Sequence, residues 1–160
     1  GVEPGSNNLD GLRYGKVCIL ADADSDGLHI ATLLCALFLK HFRPLVEAGR
    51  VYVSMPPLYR VDQGKDVHYA LDDDEKDKLV SELQMKNKRT KIEVQRFKGL
   101  GEMNASQLRE TTMLPGARRL VQLTIQNGDK SSQMVDMLLS KKRSQDRKEW
   151  LEDKGNLANV

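Results

Sequence analysis

An α/β fold is predicted, a parallel β-α-β unit that passes into a mainly helical C-terminal tail. Three observations carry it. The apolar run Val17-Cys18-Ile19-Leu20-Ala21 ends in Asp22-Ala23-Asp24-Ser25-Asp26-Gly27, and a long apolar segment follows at once. A second β-rich run, Val51-Tyr52-Val53, comes next and stops at Pro56-Pro57. A strand, a crossover helix and a strand in that order give a right-handed parallel unit. Farther on, Ala105–Thr111 and Ser131–Lys154 read as helices.

Taken in order, Gly1 to Gly11 are rich in Gly, Asn and Ser and begin without methionine, as expected of a piece of a longer protein. Lys16–Asp22 is the first strand. The helix from Gly27 to about Ala48 carries Leu28, Ile30, Leu33, Leu34, Leu37 and Phe38, apolar all round, so it is expected to be buried on more than one side. Pro44 bends its last turn and Gly49 follows as a C′ residue. Arg50–Pro56 is the second strand. Leu58–Val61 and Val67–Leu71 form a hairpin around Gln63-Gly64-Lys65, and Asp72 or Asp73 caps a polar helix to about Met85. Lys86–Lys91 is a solvated loop, Ile92–Phe97 a third strand, and Arg119–Ile125 an apolar piece between the tail helices.

Composition narrows the class. The 160 residues are 39% hydrophobic and 30% charged, with a formal net charge of +2, so any nucleic-acid contact is expected to be local. Cys18 and Cys35, in a strand and a helix that read as core, are expected as free buried thiols in a reducing cytoplasm. No segment has the apolar length of a membrane span.

The acidic run carries the chemistry. On an extended backbone, side chains two apart point the same way at about 6.5–7 Å between Cα atoms, which aims Asp22 and Asp24 at one spot. Like charges held together repel unless a cation neutralises them. Oxygen-only ligands suit Mg²⁺, which takes few protein carboxylates and keeps water or substrate phosphate for the rest. Other readings compete. An EF-hand loop needs a Glu at its twelfth position, which here is Leu33, so that reading fails. Asp26 is alternatively an N-cap of the helix beginning at Gly27, a role compatible with a metal contact through water. A strand-end Asp-x-Asp also opens HAD-type Mg-dependent phosphatases, which want Thr or Val where Asp26 stands, and nucleotide-sugar glycosyltransferases, which need an upstream nucleotide-binding half.

Two weaker features accompany it. In Gln95-Arg96-Phe97-Lys98-Gly99-Leu100-Gly101-Glu102-Met103, alternate glycines let the backbone come close to another group, and Lys98 and Arg96 offer charge to a phosphate. In the tail, Arg143 and Arg147 are four apart, on one face of a helix that would straddle a backbone.

Asp22 through Ile30, then Pro56-Pro57-Leu58-Tyr59, then Gln95 through Met103 resemble the B subunits of bacterial type IIA DNA topoisomerases, from about Leu12 to Gly155. Ser25, Leu28 and Leu34-Cys35-Ala36-Leu37-Phe38 resemble the topoisomerase IV branch more than gyrase, and the short link from Leu71 to Ile92 lacks the insertion of many gyrases; a gyrase B subunit without it is the alternative. The resemblance implies a partial Toprim domain, a Rossmann-like parallel sheet, over residues 1–103, with a hairpin and helix insertion at about 58–91, and a C-terminal tail over 104–160. It implies an enzyme that relaxes and decatenates DNA by ATP-dependent double-strand cleavage, passage and re-ligation. The nucleophile is a tyrosine of the A subunit, in a heterotetramer of two A and two B subunits in the bacterial cytoplasm, at the nucleoid. Tyr14, Tyr52, Tyr59 and Tyr69 of this chain do not match that nucleophile. Asp22 would bind both ions of a two-Mg²⁺ site, Asp24 the second, and Asp26 would assist through water. His29, in the first helical turn, would meet DNA phosphate, with Arg147 and Lys98 as further DNA contacts. The family's Glu-Gly-Asp-Ser motif, whose glutamate completes the site, and its ATP-binding module are not in this sequence. The chain by itself is therefore expected neither to hydrolyse ATP nor to cut DNA. It then serves as an interaction module lending carboxylates to a gate.

Overall fold

In the computed structural model, which describes residues 1–87, 89–126 and 130–157, the chain opens with the β-α-β order read from its sequence. Strand β1 is Val17–Ile19, helix α1 Ser25–His41, helix α2 Arg43–Glu47 and strand β2 Val51–Ser54. β1 and β2 pair in parallel, Val17 opposite Val51 and Ile19 opposite Val53. The expected single helix is two, because a proline at position 44 has no N–H and its ring clashes with the carbonyl of residue 40 in a continuous helix. The chain turns at Phe42 (φ −134°, ψ 36°), and Pro44 sits in the first turn of α2 instead. Gly49, at φ 67°, ends α2 in the left-handed conformation a C′ glycine supplies.

Strands β3 (Tyr59–Gln63) and β4 (Asp66–Ala70) form the expected hairpin, closed by Gly64 at φ 67° and Lys65. Helix α3 (Asp73–Lys86) is capped by Asp72, whose carboxylate accepts the Glu75 N–H at 2.8 Å. Its other end is closed by Gln63, whose amide donates to the carbonyls of Leu83 and Asn87. Strand β5 (Ile92–Arg96) pairs antiparallel with β3 and so belongs to a second sheet, in the order β4-β3-β5. Lys88, within the basic loop read from the sequence, lies outside the described residues.

The tail departs most from expectation. After helix α4 (Ala105–Leu108), Leu120–Gln122 forms strand β6, antiparallel to β2 with Val121 opposite Val53. The apolar piece thus completes the first sheet as β1-β2-β6. The expected continuous last helix breaks at Ser140 (φ −72°, ψ 127°) into α5 (Ser131–Leu139) and α6 (Ser144–Lys154).

Two cores result. Ile19, Ala31, Leu45, Val46 and Val51 pack the first sheet against α1 and α2. Tyr59, Val61, Ala70 and Leu83 are buried between the second sheet and α3, with Phe97 buried just past β5. Helix α1 packs on the first sheet and is also met by α5, yet Leu28, Ile30, Leu33 and Leu37 remain 41–58% exposed, so the burial expected around it is only partial. The first sheet is covered on one face, so Cys18, which alternates with Ile19 on edge strand β1, is exposed, while Cys35 is half-buried; both thiols are free. Burial pushes the Cys35 thiol up.

Glu75 fastens α3 to two neighbours, accepting the Leu71 N–H at 2.6 Å and the Arg119 guanidinium at 2.8 Å. The Arg119 bond, and then the Leu71 N–H, hold its carboxyl below the usual glutamate value of 4.5. A depressed carboxyl contributes stability that is fully present above the unfolded-state pKa and is lost as pH falls through the folded one. Glu75→Gln is therefore expected to lower the thermal midpoint at neutral pH and to flatten its fall on acidification below about pH 4.5. Calorimetry across that range checks it; an acid limb identical to the parent's removes Glu75 from the acid response.

Candidate functional site

Strand β1 stops at Ile19, so all three aspartates stand beyond it, Asp22 and Asp24 in the turn into α1 and Asp26 in its first turn. The pleat of a strand does not set their directions, which corrects the geometric premise for the pair. Each is placed by its own contact. Asp24 is the N-cap of α1: its backbone is extended (φ −91°, ψ 180°) and its Oδ1 accepts the Gly27 N–H at 2.7 Å. The cap is thus Asp24, not Asp26, because the helix begins two residues earlier than Gly27. Asp26 lies in the first turn, exposed, where a carboxylate favours the positive end of the helix dipole.

Asp22 is placed by a segment 78 residues away. Its Oδ1 accepts the Leu100 N–H at 2.8 Å. Gly99 stands so close that a Cβ there would lie 3.0 Å from the Asp22 carboxyl carbon. From the other side, Gly27 presses on the Asp22 backbone. Of the two alternate glycines, Gly99 is the one that approaches another group, and that group is the acidic turn itself. The approaching loop is rigidly rooted. Phe97 and Met103 are buried at its two ends, Leu100–Glu102 forms one 3₁₀ turn, and the Glu102 carboxylate accepts the Lys98 N–H at 2.8 Å. Sequence reasoning missed Leu100 and Glu102 as partners; the Gly99-x-Gly101 spacing was the one available signal.

Behind the turn lies a cavity of about 210 Å³, lined in part by Ala21, Asp22, Gly27, Ala31, Val53 and Ser54. The Ser54 hydroxyl is buried there without a hydrogen-bond partner.

The donor set fits Mg²⁺ in part. Asp22 and Asp24 each engage one carboxylate oxygen with a backbone N–H and could offer the other to a cation, and all three carboxylates are exposed. Among the described residues no three His, Cys, Asp or Glu side chains gather closely enough to hold a metal ion unaided. Mg²⁺ tolerates this, since one or two carboxylates with substrate phosphate and water commonly complete its shell.

The three residues read as DNA contacts are spread differently from expectation. His29 is exposed, but as the fifth residue of α1 it lies past the first turn, where the unpaired N–H groups and the dipole favour an anion. Lys98 is exposed at the mouth of the loop that reaches Asp22. Arg147 points back into the tail: its Nη1 donates to the Met137 and Ser140 carbonyls at 3.0 and 2.6 Å and closes the end of α5. Arg143 precedes α6 instead of sharing a helical face with Arg147, and is paired with Asp146 and Asp136. The two arginines therefore do not form the straddling pair.

With this geometry established, comparison with known proteins is specific. The family described as DNA gyrase B subunit, carboxyl terminus, matches residues 89–152. The B subunit of DNA topoisomerase 4 from Pseudomonas aeruginosa is 67% identical over 160 residues, all of this chain and 25% of that protein. The Escherichia coli protein of the same name is 62% identical over 162 aligned residues, again all of this chain and 25% of the relative. The B subunit of DNA gyrase from Thermotoga maritima is 45% identical over 141 residues, 88% of this chain and 21% of the relative. The chain spans about a quarter of the length of the topoisomerase 4 relatives it matches. It belongs to the B-subunit family of bacterial type IIA DNA topoisomerases, with higher identity to the topoisomerase 4 members than to the gyrase member in these comparisons.

Proposed function

We propose that this chain is the Mg²⁺-binding part of a topoisomerase IV DNA gate, supporting ATP-dependent double-strand cleavage, strand passage and re-ligation that relax and decatenate DNA. The observation that carries the reading is the acidic turn at the carboxyl end of β1, facing outward and clasped by the Gly99–Leu100 backbone. Ligands of open parallel sheets bind at that end of the strands. Asp22 would contribute to both ions of a two-Mg²⁺ site, Asp24 to the second, and Asp26 would assist through water. A glutamate outside these 160 residues completes the set. When bound there, Mg²⁺ stabilises charge on the scissile phosphate and on the leaving 3′-oxygen.

The chain's own residues do the positioning. Asp22 and Asp24 are each anchored by one oxygen to a backbone N–H, and each would offer its other oxygen to the cation. Lys98, exposed at the start of the loop whose Leu100 N–H reaches Asp22, and His29 on α1 meet the DNA backbone with positive charge or a hydrogen-bond donor. Arg147 shapes the tail and offers the DNA only the nitrogens not held by α5. Residues 1–103 act as the Toprim unit and 104–160 as the tail, joined through β6. The partners are DNA and a tyrosine-bearing A subunit, two copies of each subunit, in the bacterial cytoplasm at the nucleoid; ATP binds in a region of the protein outside this chain. Among the described residues no helix is long and apolar enough to cross a membrane. Family membership favours this reading over the HAD-type phosphatase.

The test is cleavage of supercoiled DNA with Mg²⁺ by the full-length protein assembled with its A subunit, comparing Asp22→Ala and Asp24→Ala with the parent. Loss in both supports the metal assignment, and parental cleavage in both removes it.

A further inference from the structure

We infer that the Lys98–Glu102 loop is a positioning element for the metal ligand Asp22, with the Leu100 N–H and the bare Cα of Gly99 fixing which carboxylate oxygen meets the cation. The inference rests on the proposed reading of Asp22 as a Mg²⁺ ligand and extends it to residues with no carboxylate of their own. Three contacts converge. The Leu100 N–H holds Oδ1 at 2.8 Å, so that oxygen is occupied and Oδ2 is the one left for a cation. The Gly99 backbone lies flat against the carboxylate, where a Cβ would stand 3.0 Å from both the carboxyl carbon and Oδ2. The two ends of the loop are held, because the Glu102 carboxylate accepts the Lys98 N–H and Phe97 and Met103 are buried on either side. Gly101, two residues on, has nothing within 4 Å of a Cβ and serves as the internal control.

The physical consequence is a coupling. A carboxylate already held in one rotamer by an outer hydrogen bond loses less freedom on binding a cation, and disturbing such a partner typically weakens metal binding about 10–100-fold. Coupling of this kind is reciprocal: whatever factor the docked loop adds to cation affinity, the cation adds to the docking of the loop. Gly99→Ala is a clean probe. The atoms a methyl group meets belong to a side-chain carboxylate, which yields by a few tenths of an ångström without disturbing the fold.

The experiment uses the full-length protein with Mn²⁺ as the probe ion, its binding followed by electron paramagnetic resonance, and with amide hydrogen exchange read at Leu100. Gly99→Ala is expected to weaken Mn²⁺ binding about tenfold, to speed exchange at Leu100 in the metal-free protein, and to leave the thermal midpoint at the parental value. Gly101→Ala is expected to change none of these. Adding Mn²⁺ to the parent should slow exchange at Leu100 by a factor matching the affinity lost in Gly99→Ala. If Asp22→Ala weakens Mn²⁺ binding while Gly99→Ala leaves both affinity and Leu100 exchange unchanged, the positioning role is overturned and the metal assignment stands. If Asp22→Ala itself binds Mn²⁺ like the parent, the metal reading falls, and this inference with it.

Discussion

Asp24→Asn is expected to lower Mg²⁺-dependent DNA cleavage by the assembled enzyme about a hundredfold, equivalent to roughly 2.7 kcal/mol of lost transition-state stabilisation, while changing stability by only a few tenths of a kcal/mol. Asp24→Ala is expected to lose the same cleavage and about 1 kcal/mol of stability as well. The two variants separate two roles of one side chain. Asp24 Oδ1 accepts the Gly27 N–H at 2.7 Å, satisfying one of the orphan donors at the start of α1. Asparagine does this nearly as well as aspartate, since its carbonyl oxygen occupies the same place and only the dipole attraction of the charge is lost. Alanine leaves the N–H to water. As a cation ligand, by contrast, the residue matters for its charge, and the amide is a poor substitute. Cleavage assays beside calorimetry decide between the roles; for a chain of this size the alanine variant should melt about 2–4 °C lower. Parental cleavage by Asp24→Asn would reduce Asp24 to a helix cap.

The acidic turn shows where the sequence could and could not be read. An apolar run ending in alternating aspartates announced the strand, the turn and the helix, because each follows from local residue types. The Pro56-Pro57 stop, the Gly64 hairpin and the Asp72 cap were legible for the same reason. What local patterning could not give was anything set by a distant partner. Asp22 is oriented by Leu100, and nothing near Asp22 says so. Leu120–Gln122 is a strand because the edge of β2 is there to receive it; three residues are too few to show a period of two. The break at Ser140 was hidden for a related reason. Neither glycine nor proline marks it, and the freed carbonyls of α5 are satisfied by Arg147 from the next helix. The apolar excess of α1 was legible as composition, yet its burial depends on what lies against it, and in these residues Ile30, Leu33 and Leu37 keep an open face.

Gly27→Ala is expected to destabilise the protein by about 3 kcal/mol, although in an ordinary helix the same change stabilises by about 1 kcal/mol. The reversal comes from space alone. Gly27 is buried in the first turn of α1 and has no left-handed backbone to protect. A Cβ built there would lie 2.1 Å from the Asp22 carbonyl oxygen, and 2.7 and 2.8 Å from its carbonyl carbon and nitrogen. These are backbone atoms, so no rotamer change relieves the overlap; either the start of α1 or the turn after β1 has to move. Movement of either strains the Gly27 N–H bond to Asp24 and carries Asp22 away from Leu100, so the proposed metal site is disturbed together with the fold. Gly101→Ala is the contrast: its Cβ meets nothing within 4 Å, and stability should stay within about 0.5 kcal/mol of the parent. Two glycines that look alike in the sequence thus differ in consequence. Thermal unfolding measures it, with a fall of about 6–12 °C expected for Gly27→Ala. A midpoint equal to or above the parent's would mean that Asp22 and α1 are not packed backbone to backbone.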